Sequence, residues 1–278
     1  MLVRFSQKRR FALLFFGGES MNNSPLYELK EFLDEKVEQF NRPYFIECDP
    51  ISIPHQFTEK QDIEIAGFLA ATIAWGNRKM ILRNANRIME LLDHSPYEFI
   101  MNSSDDEFQG IGSFVHRTFN STDLFYFLKA LRHIYKNKGG LEAIFSNSQT
   151  TDSLQPAIHE LHKIFFELPH EKRTERHVSD PYKGSSAKKL NMYLRWMIRK
   201  DDNGVDFGIW DSISPSILSC PLDIHSGNVA RELGILKRKQ NDAKAVAELD
   251  VILRSFDAED PVKYDFALFG LGAIERFC

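Results

Sequence analysis

Apolar residues return every three or four positions along almost the whole chain, while the alternation of apolar and polar residues that marks half-buried strands is nearly absent. Leu26, Leu29, Leu33, Val37 and Phe40 trace one such stripe, and Ala66, Ala70, Ile73 and Ala74 another. Ile81, Ala85, Ile88, Leu91 and Leu92 follow, then Leu124, Phe127, Leu128 and Leu131, then Leu154, Ile158, Leu161 and Phe165. The breaks are chemical: two prolines in DPISIPHQF bar a continuous helix, and Gly76 and Asn77 place a turn in AWGNRK. The expected fold class is all-α.

A chain of 278 residues with 43% apolar content can bury a sizeable core, and its helical pattern reads as a single unit over 21–278. The 27% charged residues are spread throughout, and no apolar run approaches the roughly 20 residues of a membrane helix, so no membrane partner is expected. A net charge of −4 argues against a generally basic nucleic-acid coat but leaves room for a local basic face. Cys48, Cys220 and Cys278 form an odd set without CxxC spacing, which supplies no disulfide framework, zinc knuckle or four-cysteine iron–sulfur site. A reducing cytoplasm is the expected compartment. MLVRFSQKRRFALLFFGGES has the basic and apolar parts of a secretion signal, but the apolar run is short and no small-residue cleavage site follows. Residues 1–20 are therefore expected to be an extension, or to lie upstream of a start at Met21.

The second half of the chain carries the more specific signals. Residues 168–184 are polar and turn-rich, with Ser185 or Ser186 placed to cap the helix SSAKKLNMYLRWMIRK. That helix has a core stripe of Leu190, Tyr193, Leu194, Met197 and Ile198, and opposite it Lys188, Arg195 and Arg199 lie close together. No acidic residue stands between Asp180 and Asp201, so this face is either simply solvated or suited to a polyanion. Two further helices are expected, from Ile224 to about Leu236 behind Pro221–Asp223, and from Asp242 to about Phe256 behind Asn241 or Asp242. The apolar tail DPVKYDFALFGLGAIERFC should pack back on the body.

Metal and nucleotide motifs are missing. His159 and His162 share a helix face in HELH, but the zincin spacing is H-E-x-x-H, and DDNGVD lacks the terminal Glu of a calcium loop. Asp223, just before a helix, reads on its own as an N-cap. Its context is more specific. Gly184-Ser185-Ser186-Ala187-Lys188 followed by Leu222-Asp223-Ile224-His225, with Val229, Leu233 and Gly234 continuing the pattern, resembles the helix-hairpin-helix DNA glycosylase superfamily. There a G-x-x-x-K hairpin precedes V-D-T-H at a helix start. SPLYELKEFLDE, IPHQF, AWGNR, KKLNMYLRWMIR and DFALFGLG extend the likeness, over nearly all of 21–278, to a bacterial family of this type. Ser186 stands where the usual hairpin has its second glycine, and Asn228 where the pattern has an arginine. The insertion KDDNGVDFGIWDSISPS is more like the archaeal 8-oxoguanine glycosylases than endonuclease III.

The resemblance implies a two-lobed bundle with its hairpin and catalytic helices in 180–236. It implies base excision from double-stranded damaged DNA by a monomer, without metal or organic cofactor. Lys188 would be the nucleophile that forms a Schiff base at the sugar C1′, and Asp223 would stabilise the cationic sugar. Gly184, Ser185 and Ser186 would hold a DNA phosphate through backbone N–H groups, beside Lys189, Arg195 and Arg199. Asn77 would fill the gap left by the extruded nucleotide, or else serve as a turn residue or helix cap. Trp75, Trp210 and Phe269 are candidates to stack on the extruded base, although aromatics in an all-α protein are more often core. The competing reading is a nucleic-acid-binding protein of the same fold without catalysis.

Overall fold

The computed structural model describes residues 25–275, and within them the chain is mostly helical. Residues 1–20, read above as an extension, lie outside the described residues, as does Cys278. The helices are α1 (Pro25–Phe40), α2 (Tyr44–Glu47), α3 (Lys60–Thr72), α4 (Arg78–Leu91), α5 (Pro96–Asn102), α6 (Asp105–Gly110) and α7 (Ser121–Asn137). Then come α8 (Leu141–Ser148), α9 (Gln155–Phe165), α10 (Lys188–Ile198), α11 (Ile224–Glu232), α12 (Ala243–Phe256) and α13 (Tyr264–Phe269), with a π-helical turn over Gly270–Ile274. A two-residue hairpin, β1 (Val115–His116) against β2 (Phe119–Asn120), pairs antiparallel with Val115 opposite Asn120.

Periodicity located the long helices and missed the short ones. The prolines of DPISIPHQF start two 3₁₀ turns, Pro50–Ser52 and Pro54–Gln56. Helices α5, α6 and α8 are too short to display a stripe, so their existence rests on tertiary contacts and, for α6, on a Ser104–Glu107 capping box. Asn77 caps α4, its side chain accepting from the Met80 N–H. Neither Ser185 nor Ser186 caps α10: the N-cap is Ala187, and the Ser185 hydroxyl accepts the Ala187 N–H at 3.1 Å instead.

Buried apolar side chains fall into two clusters. The larger runs from Phe40 to Leu218 with Val262 and Phe266 added, and it surrounds α3, which is buried along most of its length and packs on α10. The second joins Leu29, Leu33 and Val37 of α1 to Val229, Leu249, Tyr264 and Leu271 from the last quarter of the chain. Helix α1 lies directly on α13. The expected return of the tail onto the body is thus made against the first described helix. No helix among the described residues is long and apolar enough to cross a membrane.

Candidate active site

The start of α10 is built by a compact hairpin. Asp180 caps the 3₁₀ turn Pro181–Lys183 by accepting the Tyr182 N–H at 2.9 Å, and Gly184 follows at φ +87°, a conformation open to glycine at little cost. The Gly184 carbonyl accepts the Ala243 N–H at 3.1 Å, and Ser185 makes a β-bridge to Asp242, which seats the hairpin against the start of α12. Ala187 then takes a left-handed conformation, φ +47°, and Lys188 opens the helix. Ser186 is not among the positive-φ residues, so its replacement of a glycine carries no backbone strain.

Asp223 is held by its own helix. Its Oδ1 accepts the Ser226 N–H at 2.9 Å while the Ser226 hydroxyl accepts the Asp223 N–H at 2.9 Å, a reciprocal box that satisfies two otherwise unpaired donors. Asn241 donates to the Asp223 carbonyl at 2.8 Å. Gly272 lets the π-helical turn lie against this helix start, since a Cβ there would stand 2.8 Å from the His225 carbonyl oxygen. The remaining carboxylate oxygen, Oδ2, lies 3.3 Å from the Lys188 Nζ.

Both groups line a cleft of about 720 Å³, walled by Phe45, Ala74, Ile81 and Met192 of the larger cluster and closed by residues around Asp223 and by Ala273 and Ile274. Trp75 forms one wall. Its carbonyl accepts a hydrogen bond from His116 at 3.1 Å, and its ring stacks on His177 at 6.0 Å. The Lys189 Nζ lies 4.7 Å from that ring and donates to the Thr72 and His177 carbonyls at 2.8 and 3.2 Å. Burial, helped by the neighbouring Lys188 charge, pulls the Lys189 amine down to about 8. Phe269 lies across the cleft, edge-on to Phe45 and with the Arg78 guanidinium 5.3 Å above its ring. Asp49, 6% exposed, also faces this space, and burial raises its carboxyl above the usual range. Sequence reasoning missed Asp49 and Arg78, because a turn aspartate and a helix-start arginine carry no distinguishing local signal.

Three expectations need correction. Arg195 and Arg199 do not form a solvent-facing basic stripe; both are 3% exposed. Arg195 donates to Asp206 at 3.2 Å and to Asp265, and Arg199 donates to Asp260 at 2.9 Å, Asp201 at 2.6 Å and Asp206 at 3.2 Å. The face lacks acids locally, but its partners arrive from the insertion (Asp201 and Asp206), from the segment before α13 (Asp260) and from α13 itself (Asp265). Trp210 is buried in the larger cluster, where its indole N–H donates to Glu64 at 2.7 Å, and it does not line the cleft. Lys189 reaches the cleft wall, but its two carbonyl bonds fix it as a strut between segments rather than a surface cation.

The other motifs resolve into local structure. The His159 ring stacks on Tyr182 and pairs with Asp180 at 3.0 Å, while His162 is buried with its ring 5.0 Å from that of Phe166. Among the described residues no three His, Cys, Asp or Glu side chains converge as metal ligands. A smaller cavity of about 220 Å³ beside Phe108 and Phe125 is lined by no ionisable side chain.

Comparison with curated proteins and with solved structures returns no match. Residues 49–274 match the model of one family, described as a protein of unknown function, DUF2400, and that span takes in Lys188, Asp223 and most of the cleft's lining. By this match over most of its length, the chain belongs to the DUF2400 family.

Proposed function

We propose that this protein is a DNA N-glycosylase with β-lyase activity, acting on an oxidised purine such as 8-oxoguanine in double-stranded DNA. The observation that carries the reading is the Lys188–Asp223 pair: an amine and a carboxylate 3.3 Å apart, each at a helix start, facing one cleft large enough for a nucleobase. The division of the buried apolar side chains into two clusters is consistent with a two-lobed helix-hairpin-helix glycosylase bundle.

The chemistry follows from the pair. Attack requires the neutral amine, and Asp223 is near enough to take the proton from Lys188. The amine nitrogen bonds to C1′ as the C1′–N9 bond breaks, and the base leaves with the electron pair and is protonated. Asp223 stabilises the positive charge that develops on the sugar during this step. Opening of the C1′–O4′ bond, with a proton passing to O4′, leaves an iminium joining Lys188 to C1′. Loss of a C2′ proton then expels the 3′ phosphate and nicks the strand.

DNA backbone contacts fall to the hairpin. The Gly184 and Ser185 N–H groups already donate to the Pro181 and Asp180 carbonyls, which corrects the expectation that they hold a phosphate and leaves the Ser186 N–H to meet one. The exposed Lys183, Lys239 and Lys244 lie on the two segments that the Gly184–Ala243 and Ser185–Asp242 contacts join. These lysines replace Arg195 and Arg199 in that role. Borohydride in the presence of an 8-oxoguanine duplex tests the reading: hydride addition to the iminium yields a stable covalent protein–DNA complex. Salt-dependent DNA retardation without any covalent product would instead favour the non-catalytic binding protein.

A further inference from the structure

Three carboxylates line the cleft, and two are fully engaged: Asp223 by Ser226 and Lys188, and Asp265 by Arg195. Asp49 differs. Its Oδ1 accepts the Ile51 N–H at 3.2 Å, which fixes the side chain, while its Oδ2 has only the Arg78 guanidinium at 4.0 Å, beyond hydrogen-bonding distance. Arg78 in turn covers the face of Phe269, and its side chain is 41% exposed. A buried acceptor and a movable donor therefore stand side by side next to an aromatic face.

Oxidation of a purine at C8 changes its hydrogen-bonding edge in one decisive way. The N7 lone pair becomes an N7–H donor, next to a new C8 carbonyl. A carboxylate accepts from that N7–H and repels the lone pair of the parent base, whereas a guanidinium donates to a ring carbonyl. We infer that Asp49 and Arg78 are the residues that discriminate an 8-oxopurine from its parent, Asp49 Oδ2 accepting from N7–H while Arg78 donates to a carbonyl of the base. The base stacks on Phe269 and displaces the guanidinium from the ring face to the edge of the base. A buried group whose partner is missing penalises the wrong base far more than a shape difference does.

This inference rests on the glycosylase reading, and Asp49→Asn tests it. The substitution keeps an oxygen for the Ile51 N–H and turns an amide N–H toward the cleft, a donor that suits the N7 lone pair of guanine and opposes N7–H. Release of 8-oxoguanine and of guanine is measured from otherwise identical duplexes, alongside cleavage of the same duplex carrying an abasic site. The preference for 8-oxoguanine over guanine is expected to fall at least tenfold. The ratio of 8-oxoguanine release to abasic-site cleavage should fall by a similar factor, whereas general damage to the fold would slow both reactions together. Arg78→Gln is expected to lower the same ratio. A wild-type protein that releases 8-oxoguanine, with Asp49→Asn keeping the wild-type preference, overturns this inference alone. A wild-type protein that cleaves abasic sites but releases no 8-oxoguanine also overturns it and leaves the lyase intact. One that does neither overturns the glycosylase reading as well.

Discussion

The Lys188 amine meets the Asp223 carboxylate at 3.3 Å although the two residues are 35 positions apart in the chain. Two separately built helix starts, one set by a glycine hairpin and one by a reciprocal cap, bring them to the same cleft. Lys189 is the neighbouring amine, and it is bonded to two carbonyls. Lys188→Gln should therefore abolish borohydride trapping while DNA retardation persists, and Lys189→Gln should still trap. Trapping that survives in the first variant and vanishes in the second would assign the nucleophile to Lys189.

Asp223 has both a capping and a chemical role, and substitutions can separate them. Asparagine caps a helix about as well as aspartate, so Asp223→Asn should change stability by less than about 0.5 kcal/mol, while Asp223→Ala should cost about 1 kcal/mol. Base release should nonetheless slow by roughly 10²-fold or more in Asp223→Asn, the scale of losing one electrostatic stabiliser. Chemical denaturation and single-turnover excision measure the two effects independently, and excision at the wild-type rate would remove Asp223 from the chemistry.

Arg195 is buried between Asp206 and Asp265, so its removal strands carboxylates rather than freeing a DNA contact. Arg195→Met should lower stability by about 3–5 kcal/mol, the range for breaking one side of a buried ion pair. Thermal unfolding of the purified variant checks this. A loss below about 1 kcal/mol would mean the network is not tightly coupled.

The hairpin lysines give a different signature. Neutralising Lys183, Lys239 and Lys244 together should leave folding stability within about 1 kcal/mol, since all three are exposed. It should also reduce the dependence of log affinity on log salt by about 0.9 for each DNA phosphate that no longer meets a cation. Fluorescence anisotropy with a short duplex across a salt series measures the slope, and an unchanged slope would place the DNA elsewhere.

Acid should weaken the fold partly through His177, whose imidazole is held down to about 4 by burial, with the charges of Lys189, Arg176 and Arg173 adding to the effect. An unfolded histidine titrates near 6.5, so between these values the unfolded chain binds more protons and stability falls as pH drops from about 6.5 to 4. The full difference corresponds to about 3 kcal/mol. Asp250 and Asp265, raised by burial to about 6, act in the opposite sense over an overlapping range, losing stability as pH rises. Comparing wild type with His177→Phe isolates the histidine: the variant should lack that part of the acid limb in urea denaturation, and identical limbs would show that His177 titrates normally.

Helix positions were readable where an apolar stripe lasts three turns or more, as in α1, α4, α7, α9 and α10, because burial of one face dominates their stability. Asp223 as a cap and Lys188 at a helix start were readable from local chemistry. Arg195 and Arg199 were misread for a physical reason: sequence shows the charges along one helix, whereas the neutralising groups Asp206, Asp260 and Asp265 come from elsewhere in the chain. Asp49 was legible only as part of a turn, since what distinguishes it is the free oxygen left after its bond to Ile51, which only a three-dimensional arrangement reveals.

Helix α1 finds its packing partner, α13, more than two hundred residues later in the chain. During synthesis on a ribosome, the face carrying Leu29, Leu33 and Val37 therefore emerges first and stays uncovered until the last described segment is released. The larger cluster can consolidate while the chain is still growing, whereas the smaller one, which includes the helix that positions Asp223, closes only after elongation past residue 271. A nascent chain stalled before that point would hold a folded middle, an exposed leading helix and no assembled cleft.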